Sequence, residues 1–313
     1  MSFAFVFPGQ GSQSVGMLGP LAAAGTIVRS TFAEASDVLG YDLWKLVSEG
    51  PAEALNATER TQPAMLAAGV ATWRVWRERG GAEPAAVSGH SLGEFTALVC
   101  AQTVEFAAAL ELVRFRGQVM QEAVPAGSGA MAAVLGLDDE AIVALCREVA
   151  QGAVVEAVNF NSPGQVVIAG ETAAVQRALE AARLRGAKRT VVLPVSVPSH
   201  SSLMRAAGER LRSALAALPF QPPRLRYVSA VDACAHEEAD DIRETLVRQL
   251  SSPVRWTQTL RTLSAGAIAQ VIECGPGRVL TGLNRRIERR PDLTFLSLDD
   301  PQAVDAALAA TRR

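Results

Sequence analysis

The chain has 313 residues, is 49% hydrophobic and carries a formal net charge of −2. That balance suits a soluble globular protein of one large or two smaller domains, and it offers no basic footprint for nucleic acid. No run of about 18 apolar residues occurs, so no membrane span is expected.

Met-Ser-Phe-Ala-Phe-Val-Phe opens the chain. It lacks a basic n-region and its apolar run is too short for a signal peptide, so a cytoplasmic protein is expected. "FAFVF" (3–7) reads as a buried strand that ends in the turn "PGQGSQ". The Gly9-x-Gly11 pair invites a dinucleotide loop, but the third glycine should fall on Ser14, and no Gly-Lys-Ser/Thr completes a phosphate loop. A glycine-rich turn at a strand end can still aim backbone N–H groups at an oxyanion. "PAAVSG" (84–89) reads as a second short strand, and from Ser91 the pattern turns helical, through "SLGEFTALVCA" and "VEFAAALELVRFRGQVMQEAV". Between about 126 and 196 the rhythm changes. "GAMAAVLGL", "VVEAVNF", "QVVIAG" and "RTVVLPVSV" are strand-like, with helical "DDEAIVALCREVA" and "TAAVQRALEAARLRG" between them. The order β-α-β-β-α-β is a ferredoxin-like unit. "LRYVSAV", "IAQVIECGPG" and "LTFLSLD" follow as short strands alternating with helices. The expected fold is α/β: a core with a mainly parallel sheet from residues 1–125 and 197–313, interrupted by a subdomain at 126–196. Cys100, Cys146, Cys234 and Cys274 lie far apart and form no CxxC, which reads as reduced thiols.

Within "SGHSLGEF" (88–95), Gly89-x-Ser91-x-Gly93 follows a short strand and opens a helix. That is the context of a nucleophile elbow, although an ordinary glycine-rich turn has the same letters. A serine needs a base to take its proton, and the chain has three histidines. His90 adjoins Ser91, and adjacent side chains diverge on a sharp turn. His236 lies in "CAHEEADD", which reads as a solvated acidic loop. His200, in "VSVPSHSSLM", follows a strand and a proline turn, where active-site loops of α/β sheets lie; a local cap is the plainer alternative for it. Only Lys45 and Lys188 are lysines, so an arginine needs positional support. Arg116 has it. At about 100° per residue it shares a helix face with Leu112, Val113 and Met120, whereas Arg114 turns towards Glu111 and Gln118 and is expected to face solvent. A buried arginine must be paired. The plainer reading is a snorkelling side chain or an internal ion pair, and the functional one is a site for a substrate carboxylate held by two hydrogen bonds.

"FAFVFPGQGSQ", "GHSLGEFTAL", "RGQVMQEAVP", "NFNSPGQVVIAG", "PVSVPSHSSLM", "QLSSPVRW" and "ECGPGRVLTGL" occur in the order seen in malonyl-CoA:acyl-carrier-protein transacylases, and the chain resembles that family from about residue 3 to residue 287. The resemblance implies an α/β-hydrolase-like core with an inserted ferredoxin-like subdomain. Carried over by position, it implies Ser91 as nucleophile, His200 as base, and the Gln249 backbone carbonyl as the group that orients the histidine. It also implies an oxyanion hole at the backbone of Gln10 and Leu92, Arg116 as the malonyl carboxylate site, and Asn161 near the pocket. Malonyl-CoA and acyl carrier protein are the partners implied, with no metal or redox cofactor, and a monomer is expected. The arginine-rich "NRRIERR" (284–290) would suit an acidic carrier protein, or be a solvated helix face. Three places depart from the family pattern, one of them "SHSS" (199–202) where Ser-His-Cys is commoner. Ser229-Ala230-Val231 replaces Ser-Asn-Val, which removes an amide near the base, and Cys274 stands where a valine or small residue is usual. A serine esterase shares the elbow, but no HGGG loop occurs here. A non-catalytic binding module would need neither the elbow nor the Ser–His pair.

Overall fold

The computed structural model describes residues 2–125, 127–195 and 197–312. Strand β1 (Ser2–Phe7) is followed by five helices, α1 (Gly19–Ala24), α2 (Ile27–Leu39), α3 (Leu43–Glu49), α4 (Ala52–Asn56) and α5 (Thr58–Glu78). Then come β2 (Ala86–Gly89), α6 (Gly93–Cys100) and α7 (Phe106–Glu122). The middle of the chain supplies β3 (Gly129–Leu135), α8 (Asp139–Val149), β4 (Val155–Ser162), β5 (Gln165–Glu171), α9 (Thr172–Leu184) and β6 (Arg189–Val192). The remainder is α10 (Arg205–Ala216), β7 (Arg226–Val228), β8 (Ala235–His236), α11 (Ala239–Gln249), α12 (Trp256–Ser264), β9 (Ile268–Glu273), α13 (Val279–Ile287), β10 (Thr294–Ser297) and α14 (Pro301–Thr311).

The larger sheet has the order β10-β9-β1-β2-β7-β8 and is parallel except at β7–β8. A parallel strand is covered on both faces, and β1 shows how its sequence meets that demand. Phe3, Phe5 and Phe7 point one way, and Phe3 and Phe5 pack edge-on against Trp76 of α5. Ala4 and Val6 point the other way, into a cluster with Trp256 and Leu260 of α12. The alternation is the period of two expected of a strand.

The second sheet, β4-β5-β3-β6, is wholly antiparallel. With α8 and α9 it forms the expected β-α-β-β-α-β unit. Val134 and Ile168 pack under those helices, while Met131, Val158 and Val167 form a second cluster on the opposite face. The expected boundary residues of the insertion, Ala126 and Ser196, lie outside the described residues, as do Met1 and Arg313 at the chain ends. β4 is fastened to the core by Val254: Val254 N–H donates to Val158 O (2.8 Å) and Phe160 N–H donates to Val254 O (2.9 Å).

"CAHEEADD" is not all loop: Ala235 and His236 form β8, paired antiparallel with β7. His236 is half-buried, and its Nε2 lies 3.1 Å from Asp232 Oδ1. Acidic neighbours read as solvated because sequence gives no view of an edge strand as short as two residues.

Candidate active site

The turns after β1 and β2 lie side by side because these strands pair in parallel, Phe7 opposite Gly89. Three glycines permit the close approach. A Cβ on Gly89 would fall 1.9 Å from Gly93 C, one on Gly93 2.0 Å from Phe7 O, and one on Gly9 2.3 Å from His90 O. Side chains at these positions would drive the elbow and the first turn apart. The elbow also forces Ser91 to φ 52°, and His200 sits at φ 68°. Both are in the left-handed region that costs a non-glycine residue energy and recurs at functional sites.

The two strained residues meet. Ser91 Oγ lies 2.8 Å from His200 Nε2. On the other side of the ring, Nδ1 is 2.8 Å from the backbone oxygen of Gln249, at the C-terminal end of α11. A carbonyl only accepts, so Nδ1 carries the proton and Nε2 is left to accept from the serine. His200 is buried, and burial first, then the Arg116 charge, push its pKa down to about 3. The ring is therefore neutral near pH 7 and already in the proton-accepting form.

That shift has a stability consequence. In the unfolded chain a histidine takes up its proton near pH 6.5. Below that value the unfolded state binds the proton and the folded state does not, so His200 lowers stability as pH falls. Between about pH 7.5 and 5.5 the parent should lose ~1 kcal/mol more than His200→Asn in urea unfolding. Parallel losses in the two proteins would show that His200 is not held neutral.

Arg116, on α7, is 1% exposed, so its side chain lies on the buried face together with Leu112, Val113 and Met120. Arg114 is half-buried rather than free in solvent, because α7 packs along much of its girth. The Arg116 guanidinium donates to Gln62 Oε1 (2.9 Å), Gln249 Oε1 (2.8 Å) and Ser91 Oγ (3.2 Å), and lies 5.4 Å from the centre of the Phe95 ring. All of these partners are neutral. Its Nε is buried without a partner among the described residues. Burial lowers the guanidinium pKa to about 10, which leaves it charged at neutral pH.

Gln10 and Leu92 line the same cavity as Ser91, His200 and Arg116. Among the described residues, neither backbone N–H makes a hydrogen bond. The cavity roof is the helix-free face of the small sheet and the segment after it, through Met131, Asn159, Leu193 and Val195. The roof and floor thus come from the two sheets, and the nucleophile stands between them.

Asn161 does not itself line the cavity but touches His90, which does. Its Oδ1 is 2.8 Å from His90 Nε2, so a residue of β4 touches the one preceding the nucleophile. Gln165, at the start of β5, accepts from Arg286 at 2.8 Å. Ala230 is fully buried and packs with Val254 and Trp256; the His200 ring takes its support from Gln249 instead. Cys274 is buried and packs. The "NRRIERR" run is not one solvated face. Asn284 and Ile287 are buried, Trp256 donates to Asn284 Oδ1, and α13 ends at Ile287. Arg285, Arg286 and Arg289 are exposed.

Sequence reading missed Gln62, Glu94 and the side chain of Gln249. Glu94 carried a usable signal, an acid inside the apolar run "SLGEFTAL". It is fully buried and accepts from Tyr227 Oη and from Gln249 Nε2. Among the described residues, no group of three or more His, Cys, Asp or Glu is placed to hold a metal, and no helix is long and apolar enough to cross a membrane.

Comparison with known proteins follows the same lines. The acyl transferase domain family matches residues 4–290. The malonyl CoA-acyl carrier protein transacylase of Escherichia coli is 55% identical over 306 residues, 98% of either chain. That of Bacillus subtilis is 42% identical over 306 residues, 97% of this chain and 96% of its own. Among solved structures, a malonyl-transacylase in complex with its type II PKS acyl-carrier protein superposes with a TM-score of 0.97 at 54% identity, covering 99% of this chain and 100% of that one. The acyl carrier protein S-malonyltransferase of Vibrio cholerae gives 0.94 at 54% identity, over 98% and 100%.

Proposed function

The chain belongs to the acyl transferase family, and from that premise we propose that it moves the malonyl group of malonyl-CoA to the phosphopantetheine thiol of acyl carrier protein through a malonyl ester on Ser91. The product supplies the extender unit for fatty acid or polyketide synthesis. One observation carries the reading: Ser91 Oγ is held between a neutral base at 2.8 Å and a buried guanidinium at 3.2 Å. The first makes it a nucleophile, and the second selects an acyl group that ends in a carboxylate.

Each step conserves its protons. His200 Nε2 takes the Ser91 proton as Oγ attacks the thioester carbon. The oxyanion forms opposite the unengaged N–H groups of Gln10 and Leu92, each worth ~2.7–4 kcal/mol in sites of this kind. The C–S bond then breaks, and the departing CoA sulfur takes the proton from His200. In the second half the carrier thiol gives its proton to His200 as its sulfur attacks the ester, and Ser91 leaves as the hydroxyl. Gln249 O keeps the imidazole in one tautomer throughout, in the place an acid fills in a Ser-His-Asp triad. Substrate also strengthens the base. The Arg116 charge depresses His200, so pairing that charge with malonyl raises the basicity of the ring as the reaction needs it. No metal or redox cofactor enters any step.

Intact mass after incubation with malonyl-CoA tests the reading. A single stable malonyl adduct is expected, removed when phosphopantetheinylated carrier protein is added. Hydrolysis without an adduct would make the chain an esterase, and neither event would leave it a binding module.

A further inference from the structure

The charge on Arg116 has no carboxylate in contact: among the described residues its hydrogen-bond partners are two glutamine oxygens and a hydroxyl. The acid whose charge acts on it is Glu94, and the two are joined by one amide. Gln249 Oε1 accepts from Arg116 at 2.8 Å, while Gln249 Nε2 donates to Glu94 Oε1 at 2.8 Å and to Ser91 O at 3.1 Å. Both of those acceptors need the NH2 end of the amide, so its oxygen end faces the guanidinium. Glu94 only accepts, from Gln249 Nε2 and Tyr227 Oη as well as from the Ser229 side chain and the Ala230 N–H. Burial raises the Glu94 pKa, and these hydrogen bonds, together with the Arg116 charge one amide away, oppose that rise and favour the ionised form.

We propose that Glu94 is a positioning residue for substrate choice: through the Gln249 amide it balances the charge of Arg116 from a distance and so limits how tightly the malonyl carboxylate is held. A Glu in direct contact would occupy the edge of the guanidinium that malonate must reach. One amide away, it offsets the burial of the cation and leaves Nε without a protein partner among the described residues. Its charge also repels the incoming carboxylate. A transferase that must hand the same acyl group on gains from that repulsion, because excess grip on the malonyl-serine state slows the second half-reaction. The inference rests on Arg116 as the malonyl site.

The test is Glu94→Gln, which keeps the shape and removes the charge. The KM for malonyl-CoA and the inhibition constant of free malonate should both fall about tenfold. The kcat for transfer to carrier protein should fall by a similar factor. Acetyl-CoA loading and inhibition by acetate should stay within about twofold. Glu94→Asp should return malonate binding towards the parent value. An unchanged or raised malonyl KM overturns the proposal, and so does a parallel fall of malonyl and acetyl loading, which marks a merely structural role. If Glu94→Gln does not fold, Tyr227→Phe replaces it. Loss of that donor favours the neutral acid, so malonate should bind more tightly, by a smaller factor, and no change overturns the proposal. Arg116→Ala separates the two failures. If it still binds malonate, the carboxylate site itself is wrong. If it does not, and Glu94→Gln is without effect, only the role of Glu94 falls.

Discussion

Ser91→Ala should fold as the parent does and take up no malonyl group. The serine is half-buried at the top of the elbow, its hydroxyl lost without opening a cavity of any size, so unfolding by heat or urea should change little. The rate of loading should drop by about 10⁶-fold, the scale seen when the nucleophile is removed from a hydrolytic serine site. His200→Ala should slow loading by ~10²–10⁴-fold, the usual worth of a general base. The two act on one proton, so the double variant should be little slower than Ser91→Ala alone. His236 is the control. It pairs with Asp232 on the far side of β7, and His236→Ala should leave transfer within about twofold. The measurement is radiolabelled malonyl retained on protein after acid quench. A Ser91→Ala protein that still carries malonyl on a serine would defeat the assignment.

The parts of this molecule that can be read from its sequence are those written in local letters. β1 and β2 announce themselves through apolar runs closed by glycine-rich turns, and the four strands and two helices of the small unit follow patterns of period two and 3.6. The elbow could be read in part because Gly89 is required by a contact four residues away, with Gly93, although Gly93 itself answers to Phe7 on the neighbouring strand. Arg116 could be placed because helix periodicity alone puts it on an apolar face. What sequence hid depends on distant partners. The 21-residue α5 gives no clean amphipathic signal because nearly every side of its first half is buried, and with it went Gln62. The amide of Gln249 is 133 residues from Arg116 and 155 from Glu94, and no local pattern links them. The resemblance implies Asn161 near the pocket; its contact there, with His90 of the cavity lining, comes from the packing of β4 on the elbow and has no local sequence signal.

Arg116→Ala should invert the substrate preference. In the parent, malonate completes the partners of a buried cation and acetate does not. A site built around such a group rejects the analogue lacking the partner by ~10⁴–10⁵-fold, so acetyl-CoA should be a very poor donor. Removing the guanidinium removes both the grip and the penalty. Malonyl loading should collapse, while acetyl loading on Ser91 stays level or rises. Two further effects act in the same direction. The serine loses a donor at 3.2 Å that competes for its lone pairs, and His200 is freed from the second of the influences that depress it. Stability should fall, because Gln62 Oε1 and Gln249 Oε1 are left without their donor, at ~1–3 kcal/mol for each buried acceptor that finds no other. Arg116→Lys should restore only part of the malonyl rate, since an ammonium cannot serve Gln62, Gln249 and a carboxylate in the geometry of a planar fork. Arg114→Ala, two residues away on the half-buried side of α7, should change little. The measurement is kcat/KM for malonyl-CoA and acetyl-CoA across the three variants. If Arg116→Ala kept its malonyl preference while Arg114→Ala lost it, the carboxylate site would belong to the other face of the helix.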